Sequence, residues 1–154
     1  MAAFDFPKEF HLRPMEQQDL ASVLAIERRV YDFPWTTENF ASCITANYEC
    51  WMLMCDNTHA GHAVLSVAVG EAHLLNISVD SVYQRRGLGR SLLRFMLARA
   101  EQRGAKVVFL EVRVSNRAAF QLYQSEGFNE IGTRKGYYPA QKAREDAMVL
   151  AIEL

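Results

Sequence analysis

Apolar residues along this chain alternate between two spacings, and the changes of spacing mark the elements. A short apolar run over residues 10–13 reads as a strand. Over residues 19–30 the repeat lengthens, and Leu20, Val23, Leu24 and Ile26 form one stripe of a helix. YDFPWTTENF ends that helix, because Pro34 disfavours helical backbone at the residue before it. A second helix is expected from about Thr36, whose hydroxyl can cap it. CWMLMC and GHAVLSVAV then read as strands separated by DNTHAG, which has hairpin-turn composition, and HLLNISV follows as a third.

The helical spacing returns over residues 89–103, where Leu92, Leu93, Met96, Leu97 and Ala100 share a face and Gly104 supplies the stop. KVVFLEV is a strand, and SNRAAFQLYQSEG a helix with Ser115 or Asn116 as its cap and Gly127 at its end. Strand patterns over residues 129–134 and 147–154 close the chain. Strand, two helices, a strand meander, helix, strand, helix and two strands predict an α/β fold. Its central sheet is mixed, with helices on both faces.

Composition narrows this picture only where it excludes something. A length of 154 residues, half of them hydrophobic, suits a single domain over residues 1–154, with residues 1–8 a loose N-terminal extension. The 17 Lys plus Arg against 18 Asp plus Glu exclude the broad basic field that holds nucleic acid or anionic membrane. Any anion site must be local. Cys43, Cys50 and Cys55 form no C-x-x-C pair, so neither a disulfide framework nor a zinc site is expected, and each reads as a buried small hydrophobe. No apolar run has the length of a signal peptide or a membrane span, so a cytoplasmic protein is expected, with a monomer the simplest state.

The candidate anion site is YQRRGLGR, between a strand and a helix. Its glycines let backbone approach a ligand, and the first turn of the helix offers unpaired N–H groups at the positive end of the dipole. Neither a P-loop nor a full dinucleotide fingerprint is present, since Leu92 stands where a third glycine belongs. A plain strand-to-helix connection is the competing reading. Arg85, Arg86 and Arg90 are either solvated charges or attractors of phosphate.

Two further residues stand out. Alternation puts Glu111 with Val107 and Phe109 on one face of its strand, where a carboxylate is either salt-bridged structure or a functional group. Asn116, Ala119, Phe120 and Tyr123 share a face of the next helix, and Tyr123 is either a core ring or a working phenol. His73 opens the strand before the glycine turn and is the rival base; His11, His59 and His62 carry no motif, and no pattern supports a metal site.

Q-x-x-G-x-G from Gln84 to Gly89, and N-x-x-A-x-x-L-Y-x-x-x-G-F from Asn116 to Phe128, resemble the two signatures of the GNAT acetyltransferase superfamily, and the element order resembles its fold. The resemblance implies acetyl-coenzyme A as co-substrate. Its pyrophosphate would lie on the loop Arg85, Arg86, Gly87, Leu88, Gly89 and Arg90, and its pantetheine arm along Ile77, Ser78 and Val79. FPW (Phe33, Pro34, Trp35), NISV, LEVRVSN, YYP and REDA look like the bacterial RimI-type family, which acetylates the N-terminal alanine of small-subunit ribosomal protein 18. By that likeness Glu111 is the general base, Tyr123 the general acid near the cofactor sulfur, and Asn116 a cofactor contact. Phe33 and Trp35, with Tyr137 and Tyr138, would lie on loops that shape the peptide slot. Amine attack on the thioester would be direct, with a backbone N–H of the Ile77 to Val79 strand steadying the oxyanion. The alternatives are a lysine or small-amine acetyltransferase and a non-catalytic coenzyme A-binding module. The partner is then the N-terminus of a ribosomal protein, with no direct nucleic acid and no membrane.

Overall fold

A computed structural model describes residues 5–141 and 143–154. The elements are β1 (Phe10–Pro14), α1 (Leu20–Val30), α2 (Thr37–Thr45), β2 (Glu49–Cys55), β3 (Thr58–Ala68), β4 (Glu71–Val79), α3 (Leu88–Gln102), β5 (Val107–Arg113), α4 (Arg117–Ser125), β6 (Asn129–Tyr138) and β7 (Glu145–Glu153). The strands form one seven-stranded sheet in the order β1-β2-β3-β4-β5-β7-β6. Every neighbouring pair is antiparallel except β4 and β5, which run parallel with α3 as their crossover. The expected mixed α/β sheet is therefore the one that forms.

Its two faces bury separate cores. On one, Leu92, Leu93, Met96 and Ala100 of α3 and Tyr123 of α4 pack on Ala63, Leu74, Val108 and Leu110. On the other, Leu20, Val23 and Leu24 of α1 and Phe40 and Cys43 of α2 pack on Met52, Met54 and Val64. Each fully buried side chain of this size contributes about 1.5–3 kcal/mol, so the stripes read from the sequence are what fix the helices to the sheet. Thr36 caps α2 by accepting from the Asn39 N–H (3.2 Å), and Asn116, not Ser115, caps α4 by accepting from the Ala119 N–H (3.2 Å).

One irregularity sets up everything at the centre of the sheet. Val64 pairs with Asn76 but the next residue, Leu65, pairs with Leu74, so Leu75 is an extra residue in β4. Because side chains alternate with a period of two, an inserted residue exchanges the faces of all that follow. Ala72 and Leu74 join the core under α3, and Ile77 rather than Asn76 continues it. Asn76 and Ser78 turn toward α1, where both bond to Glu27.

Several boundaries differ from those read in the sequence. β3 begins at Thr58, because a two-residue turn of Asp56 and Asn57, with Asp56 at φ 51, lets Cys55 pair with Thr58. β6 extends to Tyr138, which pairs with Glu145 across an irregular stretch containing Gly136 at φ 61. Tyr137 and Tyr138 thus close a strand rather than lie on a loop. Of the extension expected over residues 1–8, residues 1–4 fall outside the described residues. Phe6 packs against two core clusters and the Asp5 carbonyl accepts from Ser91 Oγ (2.7 Å), so the following residues are held. Cys43 and Cys50 are buried as expected, burial pushing the Cys50 thiol up to about 12, but Cys55 is only half-buried, at the strand end.

Gly61 faces the end of β4 so closely that a Cβ would lie 2.6 Å from the Ser78 carbonyl oxygen. Gly61→Ala is expected to cost about 1–3 kcal/mol through overpacking against backbone. Thermal unfolding should show a midpoint several degrees lower; an unchanged midpoint would mean that β3 and β4 separate freely there.

Candidate active site

β4 and β5 pair only through Glu71, Ala72 and His73, opposite Val107, Val108 and Phe109. Beyond these residues the strands part, and the gap opens into a cleft of about 1140 Å³. The cleft is bordered by the C-terminal half of β4, the turn into α3, the end of β5, α4, the end of β6 and the loop after α1.

The parting leaves one edge of β4 without a strand partner. Tyr31 Oη donates to the Ile77 carbonyl (2.7 Å) and Gln84 Nε2 to the Val79 carbonyl (2.9 Å), so these two residues face the gap rather than β3. A strand residue presents its N–H and C=O on the same edge, so the Ile77 and Val79 N–H groups also open into the cleft. Ser78, facing β3, does not.

The turn into α3 adds a second row of donors. Gln84 N–H bonds to the Ser81 carbonyl and Ser91 N–H to the Gly87 carbonyl; among the described residues none of the six intervening amides, Arg85 to Arg90, donates to an acceptor. Arg85 and Gly87 both sit in the left-handed region, φ 66 and 75, a sequence of backbone conformations that turns successive N–H groups toward one concavity. The helix dipole adds to its positive potential. A Cβ on Gly89 would meet nothing in the protein, so its absence leaves room for a ligand instead of relieving crowding.

Of the arginines here, Arg85 lines the cleft and Arg86 and Arg90 do not. Arg86 stacks on the Tyr83 ring at 5.6 Å. Arg90 Nη1 donates to Ser125 Oγ (3.0 Å) and pairs with Glu126, which Arg94 also holds (2.7 Å). The Arg90 side chain, read in the sequence as either a solvated charge or an attractor of phosphate, ties α3 to the end of α4.

Glu111 reaches the cleft with partners behind it. His73 Nε2 lies 2.9 and 3.1 Å from its two oxygens and Arg134 Nε 3.5 Å from one of them. The His73 bond holds the Glu111 carboxyl below the usual carboxylate range, against the opposing effect of burial and with help from Arg134. His73 and Arg134 are not part of the cleft wall. The rival base is thus a partner of Glu111, whose carboxylate is ion-paired and lines the cleft at the same time.

Tyr123 is buried, its ring 5.7 Å from that of Phe128, and burial pushes its phenol up, so it stays protonated. Among the described residues nothing hydrogen-bonds its hydroxyl, and it lines the cleft. Asn116 also lines it; its Oδ1 is committed to the α4 cap, leaving Nδ2 as the group able to meet a ligand. Phe33, Trp35, Tyr137 and Tyr138 also line this cleft. Tyr137 and Phe33 are 42% and 41% exposed, each with an arginine over its ring, Arg134 and Arg113.

Two cleft residues were not anticipated. Glu27 is fully buried and accepts from His62 Nε2 (3.0 Å), Asn76 Nδ2 (3.0 Å) and Ser78 Oγ (2.6 Å). Burial alone would raise its carboxyl; these three donors outweigh it and the net direction is down. Its position on the apolar stripe, three and four residues after Leu24 and Val23, was the available signal. Tyr31, one turn further, is the other. Its hydroxyl fixes the edge of β4 at Ile77, and only the fold brings those two together.

The chain belongs to the acetyltransferase (GNAT) family, whose sequence profile matches residues 20–128. Within that family it is 43% identical over 140 residues to the ribosomal protein bS18 alanine N-acetyltransferase of Escherichia coli K12, covering 91% of this chain and 95% of that one. The crystal structure of the ribosomal-protein-S18-alanine N-acetyltransferase from Escherichia coli superposes with a TM-score of 0.87 at 42% identity, covering 94% of this chain and 93% of that chain. At 19% identity, a chain of the NatC complex bound to Gag peptide and CoA shares the fold with a TM-score of 0.83, over 95% of this chain and 99% of that one.

Arg90→Ala removes a contact between α3 and α4 and no cleft contact. It is expected to lower the thermal midpoint while leaving the KM for acetyl-coenzyme A within about twofold of the parent, the range for a side chain outside the site. A tenfold rise in that KM would return Arg90 to the phosphate site.

Proposed function

We propose that this protein acetylates the N-terminal alanine of small-subunit ribosomal protein 18 in the cytoplasm, by direct attack in a ternary complex. The carrying observation is that Glu111, aimed into the cleft with His73 and Arg134 behind it, lies in a chain 43% identical along nearly its whole length to an enzyme of that name. Acetyl-coenzyme A supplies the acetyl thioester. The free amides of Arg85, Arg86, Gly87, Leu88, Gly89 and Arg90 suit its pyrophosphate, and the open edge at Ile77 and Val79 suits its amide-bearing arm.

The direction of the Glu111 shift decides how the base acts. An α-amino group has a pKa of roughly 7.7–8 and an ordinary glutamate about 4.3, a mismatch costing about 5 kcal/mol for complete proton transfer from the free ammonium. Lowering Glu111 further widens that gap. Glu111 therefore works on the amine as its bond to the acetyl carbon forms and the nitrogen becomes strongly acidic, accepting the proton that the product amide cannot keep. A β4 N–H facing the gap, at Ile77 or Val79, steadies the oxyanion. Tyr123, raised by burial, is a poor source of a whole proton but a good hydrogen-bond donor to the departing thiolate.

The test offers acetyl-coenzyme A with the N-terminal peptide of the ribosomal protein and with the same peptide blocked at its first amine. Turnover of the free peptide alone is expected; equal turnover of both would point to lysine side chains instead. Glu111→Gln should cut turnover at pH 7 at least about tenfold, the size of a general-base contribution, with coenzyme A binding kept. Unchanged turnover would favour a binding module. In the parent, any acidic limb of kcat/KM set by Glu111 is expected below the ordinary carboxylate range, because the base works only when ionised. His73→Leu, which carries no donor, removes the largest influence holding it down, so the limb should move to higher pH; a stationary limb would exclude His73 from the proton chemistry.

A further inference from the structure

Arg113, at the end of β5 and two residues beyond Glu111, has no part in the chemistry above, yet it contacts four other residues of the cleft wall. Its guanidinium lies 4.5 Å from the centre of the Tyr138 ring and 5.4 Å from that of Phe33. From its edge Nη1 donates to the Pro139 carbonyl (2.9 Å) and to Glu145 Oε1 (3.1 Å). Glu145 Oε2 in turn accepts from the Ser115 N–H (2.8 Å). These contacts join the loop after α1, the turn between β5 and α4, and the ends of β6 and β7, all of which border the cleft.

We infer that Arg113, anchored by Glu145, is a positioning residue that sets specificity for the peptide: it fixes Phe33 and Tyr138 as walls of the slot that receives the substrate N-terminus. The inference rests on the proposed reading of the cleft as a peptide acetylation site. Phe33 and Tyr138 are 105 residues apart in the chain, and Arg113 reaches the rings of both. Only a planar, delocalised cation can contact two aromatic rings while donating in its own plane to a carbonyl and a carboxylate. A lysine in its place keeps the charge and loses that geometry. Among the described residues the Arg113 side chain contacts Phe33, Tyr138, Pro139 and Glu145 and no residue of the pyrophosphate turn or of β4, so loss of the clamp should act on the peptide and spare acetyl-coenzyme A.

The full-length protein is assayed with acetyl-coenzyme A and the alanine-first peptide, with Arg113→Met, Arg113→Lys, Glu145→Gln and the Met/Gln double variant. Arg113→Met is expected to raise the peptide KM at least about tenfold while kcat falls less than about threefold and the KM for acetyl-coenzyme A stays within about twofold. Arg113→Lys should remain at least about threefold above the parent, and Glu145→Gln should move the peptide KM in the same direction. The double variant should be no worse than Arg113→Met, because the two side chains act as one unit. A peptide KM unchanged in Arg113→Met, or equal rises in both KM values, overturns the inference while leaving the proposed activity in place. A parent that fails to distinguish the free from the blocked peptide removes the activity itself and this inference with it.

Discussion

The separation of β4 from β5 beyond His73 and Phe109 is the constraint on which the site depends. Two central strands of a sheet ordinarily spend their backbone groups on each other, and leaving such groups unpaired inside a protein is costly. Here the cost is partly met from the side, by Tyr31 on the Ile77 carbonyl and Gln84 on the Val79 carbonyl. The N–H groups beside them are left to a ligand. The extra residue at Leu75 belongs to the same device, since it exchanges the faces of β4 where the strands part and turns Asn76 and Ser78 toward the buried carboxylate of α1. The site is thus the place where the hydrogen bonding of the sheet is deliberately incomplete.

The acids of the interior show the same economy. Glu27, Glu49 and Glu126 each meet two or more donors, and each joins separate elements: α1 to β3 and β4, β2 to α3, and α3 to the end of α4. Breaking such a pair leaves a buried charge uncompensated, which is why these contacts hold the sheet and helices in one register. Glu111 differs in arrangement and not in kind. Its partners, His73 and Arg134, are outside the cleft wall, and its open side is inside it. A carboxylate satisfied from behind stays ionised and aimed while one face remains available for a proton.

Much of this was legible in the linear pattern. Apolar stripes at helical spacing placed α1 and α3, a cap residue and a terminal glycine placed α4, and Gly104 and Gly127, at φ 86 and 105, end the last two as their composition indicates. Glu111 and Tyr123 were visible as polar groups out of place on their elements, and the glycine turn as a run of amides before a helix. Each of these signals is local: the residues that make it lie within one or two turns of each other. The arginines of the turn were not resolved in this way, because whether a long flexible cation meets a ligand or a protein carboxylate depends on what the fold brings within reach. For Arg90 that was Glu126, 36 residues on.

What the sequence by itself determined, then, is the order and amphipathic faces of the elements, the places of Glu111 and Tyr123 on them, and the amide-rich turn, since all are set by short-range periodicity and residue chemistry. The tertiary structure alone decided the face exchange at Leu75, the pairing of His73 with Glu111, the buried donors around Glu27, the edge contact of Tyr31 and the ring contacts of Arg113. These are pairings between residues separated by 38 positions for His73 and Glu111 and by 46 for Tyr31 and Ile77. No local spacing encodes which side chains will share a gap that exists only once two strands have parted.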